Sequence, residues 1–136
     1  MKKKVLSYTQ KISIMRDEES ILNIDDYGNK EWRNKSGRLH RLDGPAIEYY
    51  YGDKYWYQNG KRHRIGAPAV ECVNGDKIWY QNGQFHRIDG PAIEYTNGIK
   101  FWYYRGCHFE TKEEFFDALT DEEKSIALYS EYFHNG

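Results

Sequence analysis

Apolar and polar positions alternate along most of the chain in short runs that end at glycine. Ala46-Ile47-Glu48-Tyr49 alternates, Tyr51-Gly52-Asp53 reverses direction, and a second alternation from Lys54 to Gln58 is closed by Asn59-Gly60. A period of two places successive side chains on opposite faces of a strand, and Gly beside Asn or Asp supplies the positive φ of a tight reversal. Glycine recurs about every eight residues from Gly28 to Gly106, so each short strand is followed by a turn. The pattern predicts a mainly β chain, a single antiparallel meander of hairpins.

The pattern repeats. Pro45, Pro68 and Pro91 are 23 residues apart, as are His40, His63 and His86, and as are Trp56, Trp79 and Trp102. The units are HRLDGPAIEYYYGDKYWYQNGKR, HRIGAPAVECVNGDKIWYQNGQF and HRIDGPAIEYTNGIKFWYYRGCH, preceded by a degenerate forerunner, DDYGNKEWRNKSGRL, with one extra residue. Proline starts the first strand of each unit, where an amide donor can be spared. Equivalent strands of successive units then lie two strands apart, about 9–10 Å.

The ends differ from the repeats. VLSYTQKISIM alternates like an edge strand, so residues 1–22 are expected to form an N-terminal edge strand or cap, with the hairpin repeats over 23–110. Thr111-Lys112-Glu113-Glu114 and Thr120-Asp121-Glu122-Glu123 each place a hydroxyl three residues before Glu, the capping-box pattern. Phe115/Leu119 and Ile126/Tyr129/Phe133 follow at helical spacing. Residues 111–136 are therefore expected to be a helical cap over the last strand edge, the alternative being a helix that binds a partner.

Charge and cysteine narrow the function classes. The net charge of −1 opposes the broad phosphate grip of a non-specific nucleic-acid binder. The tail is acidic, with seven carboxylates against Lys112 and Lys124, which leaves residues 1–110 net positive. Two cysteines, Cys72 and Cys107, allow one bridge at most, and a reducing compartment is the expectation. VLSYTQKISI is too short and polar for a signal peptide or membrane span, giving a reading as a soluble, cytoplasmic protein without a membrane partner.

The run W-Y-x-N-G-x-x-H-R-x-x-G-P-A, seen in Trp56-Tyr57-Gln58-Asn59-Gly60-Lys61-Arg62-His63 and again from Trp79 to His86, resembles MORN repeats. It more closely resembles the MORN-like repeat proteins of bacteriophages and giant viruses, over about residues 23–110. The resemblance implies a hairpin-repeat architecture and a phage or viral accessory protein acting in the host cytoplasm. Ordinary MORN units follow the histidine with Gly, whereas this chain has Arg41, Arg64 and Arg87, so MORN scaffolding and lipid contacts do not carry over.

Chemistry is sparse. Repeated histidines 9–10 Å apart, about two strand spacings, cannot share a zinc ion. Each His-Arg pair is read as fastening a loop of its own or the next unit, Arg41 with Asp43 and Arg87 with Asp89, with anion binding by an arginine ladder as the alternative. Cys107 and His108 depart from the repeat, but strand neighbours point to opposite faces. The sequence contains no P-loop, G-x-G-x-x-G after a strand, H-E-x-x-H or G-x-S-x-G, and a repeat disfavours the asymmetric cluster that catalysis needs. No enzyme activity, metal or cofactor is expected.

Aromatic content is the unusual quantity, with four Trp, thirteen Tyr and six Phe. Alternation sets Trp56, Trp79 and Trp102 on one face and Tyr57, Tyr80 and Tyr103 on the other, and both cannot be core in a single-layer sheet. Either one ladder packs while the other stiffens the sheet, or the Tyr ladder, edged by Arg62, Arg64, Arg87 and Arg105, is a contact surface. The leading expectation is a non-enzymatic protein that binds and neutralises a host defence protein. The alternative is a sponge for an anionic small molecule such as a signalling nucleotide, with single-stranded nucleic acid disfavoured by charge. The pattern is also compatible with a homo-oligomer.

Overall fold

The computed structural model describes residues 5, 7–9 and 19–133. Among residues 19–133, thirteen strands precede two helices: β1 (Ile21–Ile24), β2 (Lys30–Arg33), β3 (Ile47–Glu48), β4 (Lys54–Tyr55), β5 (Tyr57–Gln58), β6 (Lys61–Arg62), β7 (Val70–Glu71), β8 (Lys77–Ile78), β9 (Tyr80–Gln81), β10 (Gln84–Phe85), β11 (Ile93–Glu94), β12 (Lys100–Tyr104), β13 (Cys107–Phe109), α1 (Lys112–Ala118) and α2 (Asp121–Ala127). The main sheet has nine strands in the order β1-β2-β3-β4-β7-β8-β11-β12-β13, with antiparallel neighbours throughout. The mainly β, antiparallel meander with C-terminal helices is thus present, and equivalent strands β3, β7 and β11 alternate with β4 and β8.

The second strand of a unit differs from the expected continuous run. At Trp56 the chain leaves the main sheet, and β5 pairs with β6 in a separate hairpin, as β9 does with β10. The corner residue serves both layers: Trp56 N–H donates to Ala69 C=O at 2.8 Å, and its C=O accepts from His63 N–H at 3.1 Å. Trp32 and Trp79 make the same two bonds, with Ala46 and His40 and with Ala92 and His86. The small hairpins are tied into a second row by Gly60 N–H to Leu39 C=O and Gly83 N–H to Arg62 C=O. In the last unit the strand runs straight through its tryptophan, as β12, and in the forerunner β2 likewise continues through Trp32 to Arg33.

Two ladders explain the alternation in the main sheet. Ile47, Tyr55, Val70, Ile78, Ile93 and Phe101 stand opposite one another in turn. One residue along, Lys30, Glu48, Lys54, Glu71, Lys77, Glu94 and Lys100 oppose one another with alternating sign, the favourable order for cross-strand charges. The apolar ladder faces the second row: Ala69 and Val70 pack with Tyr80, Phe85 and Trp56. Ala46, Ala69 and Ala92 are fully buried beneath the crossing.

The turns of the second row are two-residue reversals with both central residues at positive φ: Asn59-Gly60 (49° and 79°), Asn82-Gly83 (52° and 79°) and Arg105-Gly106 (49° and 80°). Further stitches join successive units at the opposite hairpin tips, where Asn29, Asp53 and Asp76 accept the N–H of Tyr50, Val73 and Thr96.

The tail helices form where the hydroxyl–Glu pattern predicts. Thr111 caps α1 through Glu114 N–H, and Thr120 and Glu123 complete a reciprocal capping box on α2. Phe115, Leu119 and Ala127 are buried against Trp102, Phe109, Phe133 and Ile88. The expected Ile126/Tyr129/Phe133 stripe is corrected: Ile126 lies on the exposed side of α2, Tyr129 lies beyond the end of α2 at Ala127 and is exposed, and of the three only Phe133 reaches the cap core. Most of the edge strand expected over residues 5–15 lies outside the described residues, and Tyr8 and Thr9 within it have helical backbone. Among the described residues the sheet begins at β1. Cys72 and Cys107 are both free thiols. No helix among the described residues is long and apolar enough to cross a membrane.

Candidate functional site

The repeated His-Arg pair builds the joints between units. Each histidine accepts through Nδ1 from the turn of the following hairpin: His40 from Asn59 N–H at 3.0 Å, His63 from Asn82 at 3.0 Å and His86 from Arg105 at 2.9 Å. Burial holds the His86 imidazole below its ordinary range, which keeps that nitrogen an acceptor. Each arginine reaches back to the preceding unit and places its guanidinium over that unit's tryptophan ring. Arg41 over Trp32, Arg64 over Trp56 and Arg87 over Trp79 all stand 3.8 Å from the ring centroid. The same guanidinium ties its own unit together, as Arg87 Nη1 donates to Pro91 C=O at 3.0 Å and to Glu94 Oε1 at 3.1 Å. The expected pairs Arg41–Asp43 (3.1 Å) and Arg87–Asp89 (2.7 Å) are present.

The seven sequence-predicted binding residues do not form one patch. Arg64 and Arg87 belong to these joints. Arg62 donates to the hydroxyls of Tyr57 (3.1 Å) and Tyr80 (3.2 Å), so it lies half-buried among tyrosines. Burial of its guanidinium is outweighed by these two bonds, and its pKa is raised. Tyr80 is buried and continues through Phe85 (4.6 Å between centroids) to Tyr103 (4.8 Å) and His108 (5.1 Å). The tyrosine ladder thus stiffens the second row through cross-strand pairs. Arg105 stands apart at a turn tip, its guanidinium 5.2 Å from the Tyr104 ring.

The surface with binding character is a groove of ≈ 640 Å³ between the first two units. Trp56, Gln58, Arg41, Arg64, His63 and Leu42 are among its lining residues. Leu42 and Ile65 stand on the rim, 53% and 76% exposed. Two repeats further along, the cap occupies the corresponding place. Ile88, Trp102, Tyr104 and Phe109, the counterparts of Leu42, Trp56, Gln58 and His63, pack against Phe115, Phe116 and Phe133. Tyr132 meets Trp102 edge-on at 5.8 Å, its ring lies 5.5 Å from the Arg87 guanidinium, and its hydroxyl bonds Glu94. Burial and that bond raise the pKa of the Tyr132 phenol.

Sequence reading missed Leu42, Ile65 and the Trp56 floor as a site. The signal available was the isolated apolar residue after each His-Arg pair, at Leu42, Ile65 and Ile88. Among the described residues, no group of three His, Cys, Asp or Glu side chains is placed to hold a metal ion. Comparison with protein-family models, curated proteins and solved structures finds no match to this chain.

Proposed function

We propose that the chain is a non-enzymatic binding protein that seats a partner protein in the Trp–Arg groove between its repeats. One observation carries this reading: the cap fills the last copy of a repeated groove with aromatic side chains and leaves the copy between the first two units uncovered. In the filled copy Glu110 stands at the position of Arg64 and the cap rings cover Trp102, whereas in the open copy Arg64 covers Trp56. The likeness therefore supports the groove beside Leu42, the counterpart of Ile88, as a seat for an aromatic or aliphatic segment. Tryptophan and arginine, which form the floor and wall of this groove, are also the usual anchors of interfaces. With the resemblance to MORN-like repeats of phages and giant viruses, the proposal extends to an accessory protein that covers and neutralises a host defence protein in the cytoplasm.

The test pairs capture with folding. The double variant Leu42→Glu and Ile65→Glu changes only exposed rim residues, so its unfolding free energy, read from a melting curve, should change by no more than about 0.5 kcal/mol per substitution. Immobilised wild type should retain a reproducible host protein that the double variant loses. Equal capture by both proteins, with both folded, would remove the groove from the reading.

A further inference from the structure

The second unit departs from its sisters at one loop, and the departure changes the chemistry of the groove. The first and third units read Asp43-Gly44-Pro45 and Asp89-Gly90-Pro91, whereas the second reads Gly66-Ala67-Pro68. In the first and third units the arginine Nε donates to the aspartate at 3.1 and 2.7 Å. Arg64 keeps the other bonds of its sisters, Nη1 to Pro68 C=O at 3.1 Å and to Glu71 at 2.9 Å, but its Nε has no partner among the described residues. The sister guanidiniums each face two carboxylates, while Arg64 faces one.

The backbone of the loop has changed with the side chain. A Cβ on Gly44 would stand 2.8 Å from Arg41 Cζ, and one on Gly90 2.7 Å from Arg87 Cζ, so the guanidinium lies tight against a glycine there. The second unit carries Ala67 at that position and moves its flexible residue one place earlier, to Gly66 at φ +79° with nothing within 4 Å of a Cβ. The arginine side chain is correspondingly more open, 30% exposed against 20% for Arg41 and 13% for Arg87. Its neighbours add a donor. Because His63 Nδ1 accepts the Asn82 N–H, the proton of the neutral ring sits on Nε2, and His63 lines the same groove. Among the described residues, the one carboxylate lining that groove, Asp43, is engaged by Arg41.

We propose that Arg64 is the seat for a carboxylate supplied from outside the chain, an Asp or Glu side chain in an acidic segment of the partner protein, which takes the place held internally by Asp43 and Asp89 in the sister units. The two filled copies define the ligand: a planar oxyanion at hydrogen-bonding distance from Nε, the geometry that a guanidinium edge recognises. The inference rests on the reading of the chain as a binding protein and names the chemistry of what it binds.

The test needs no knowledge of the partner. Arginine Nε–Hε resonances of the full chain are followed during titration with sodium acetate and with a hexaglutamate peptide, at constant ionic strength. The Arg64 signal should move and saturate, while those of Arg41 and Arg87, already bonded to aspartate, should not. Hexaglutamate should act at a concentration about tenfold lower than acetate, because a chain of carboxylates rebinds at the same seat. The double variant Gly66→Asp with Ala67→Gly gives the second loop the IDGP sequence of the third, and it should fold and abolish the response. Movement of all three arginines, or of none, would overturn the carboxylate seat. Equal potency of acetate and hexaglutamate would overturn the acidic segment in favour of a small free acid. Capture of a partner by the folded IDGP variant as efficiently as by wild type would overturn the seat and leave the binding reading standing.

Discussion

Arg105 occupies a backbone conformation that its side chain does not favour. At the matching positions of the two earlier units Asn59 and Asn82 take φ 49° and 52°, a region that a short polar side chain tolerates and a long one pays for at about 1–2 kcal/mol. Arg105 takes φ 49° as well, and its N–H still donates to His86 Nδ1, so the hairpin demands the conformation whatever residue stands there. Arg105→Asn should therefore raise the stability by about 1 kcal/mol, read as a higher urea midpoint at unchanged slope. An unchanged midpoint would mean that the contact with the Tyr104 ring offsets the strain. The positive φ of Gly60 and Gly83 was legible from Asn-Gly, because a tight turn is decided by its own residues. The role of Arg62 was not, because Tyr57 meets it across a hairpin and Tyr80 belongs to the next unit.

Among the elements, the cap depends on one side chain. Phe115 is fully buried on α1 and touches Trp102 at 5.0 Å, Phe109 at 6.2 Å and Phe133 at 6.3 Å between ring centroids. Phe115→Ala should cost about 3–5 kcal/mol, measured by thermal or urea unfolding, and a loss under 1 kcal/mol would mean that the helices contribute little to closing the sheet. Both helix starts could be read from the sequence because a capping box is local, and the end of α2 could not, because the apolar spacing continues past Ala127 while the backbone does not. The corner at Trp56 was hidden for a related reason. Alternation runs through it unbroken, and what divides the strand is the pair of partners it finds, Ala69 on one side and His63 on the other. The groove follows from that corner, so its Trp56 floor could not be read from periodicity alone.

At the scale of the molecule, acid should loosen the stack in two stages. His86 titrates below its ordinary range because of burial, with Glu123 opposing and Arg105 reinforcing the shift. The unfolded chain therefore takes up this proton first, so stability is full above about pH 6.5 and declines as the pH falls toward the folded-state value. Asp76, held low by the Thr96 N–H and Asn74, and Glu123, whose bonds from Thr120 and Tyr104 outweigh its burial, are depressed carboxylates. Their contribution is present above about pH 4.5 and is lost below it. The urea midpoint should thus be lower at pH 5.5 than at pH 7.5, and His86→Gln should flatten that interval. A wild-type midpoint that does not change between the two would refute the first stage. The four tryptophans also divide by what covers them. Trp32, Trp56 and Trp79 each lie under a guanidinium, whereas Trp102 is enclosed by Phe115, Tyr132 and Phe133. The chain consequently carries its own optical labels: detachment of the tail alters the environment of one indole emitter, while parting of the repeats alters that of the other three, so intrinsic fluorescence can separate the two events without a dye.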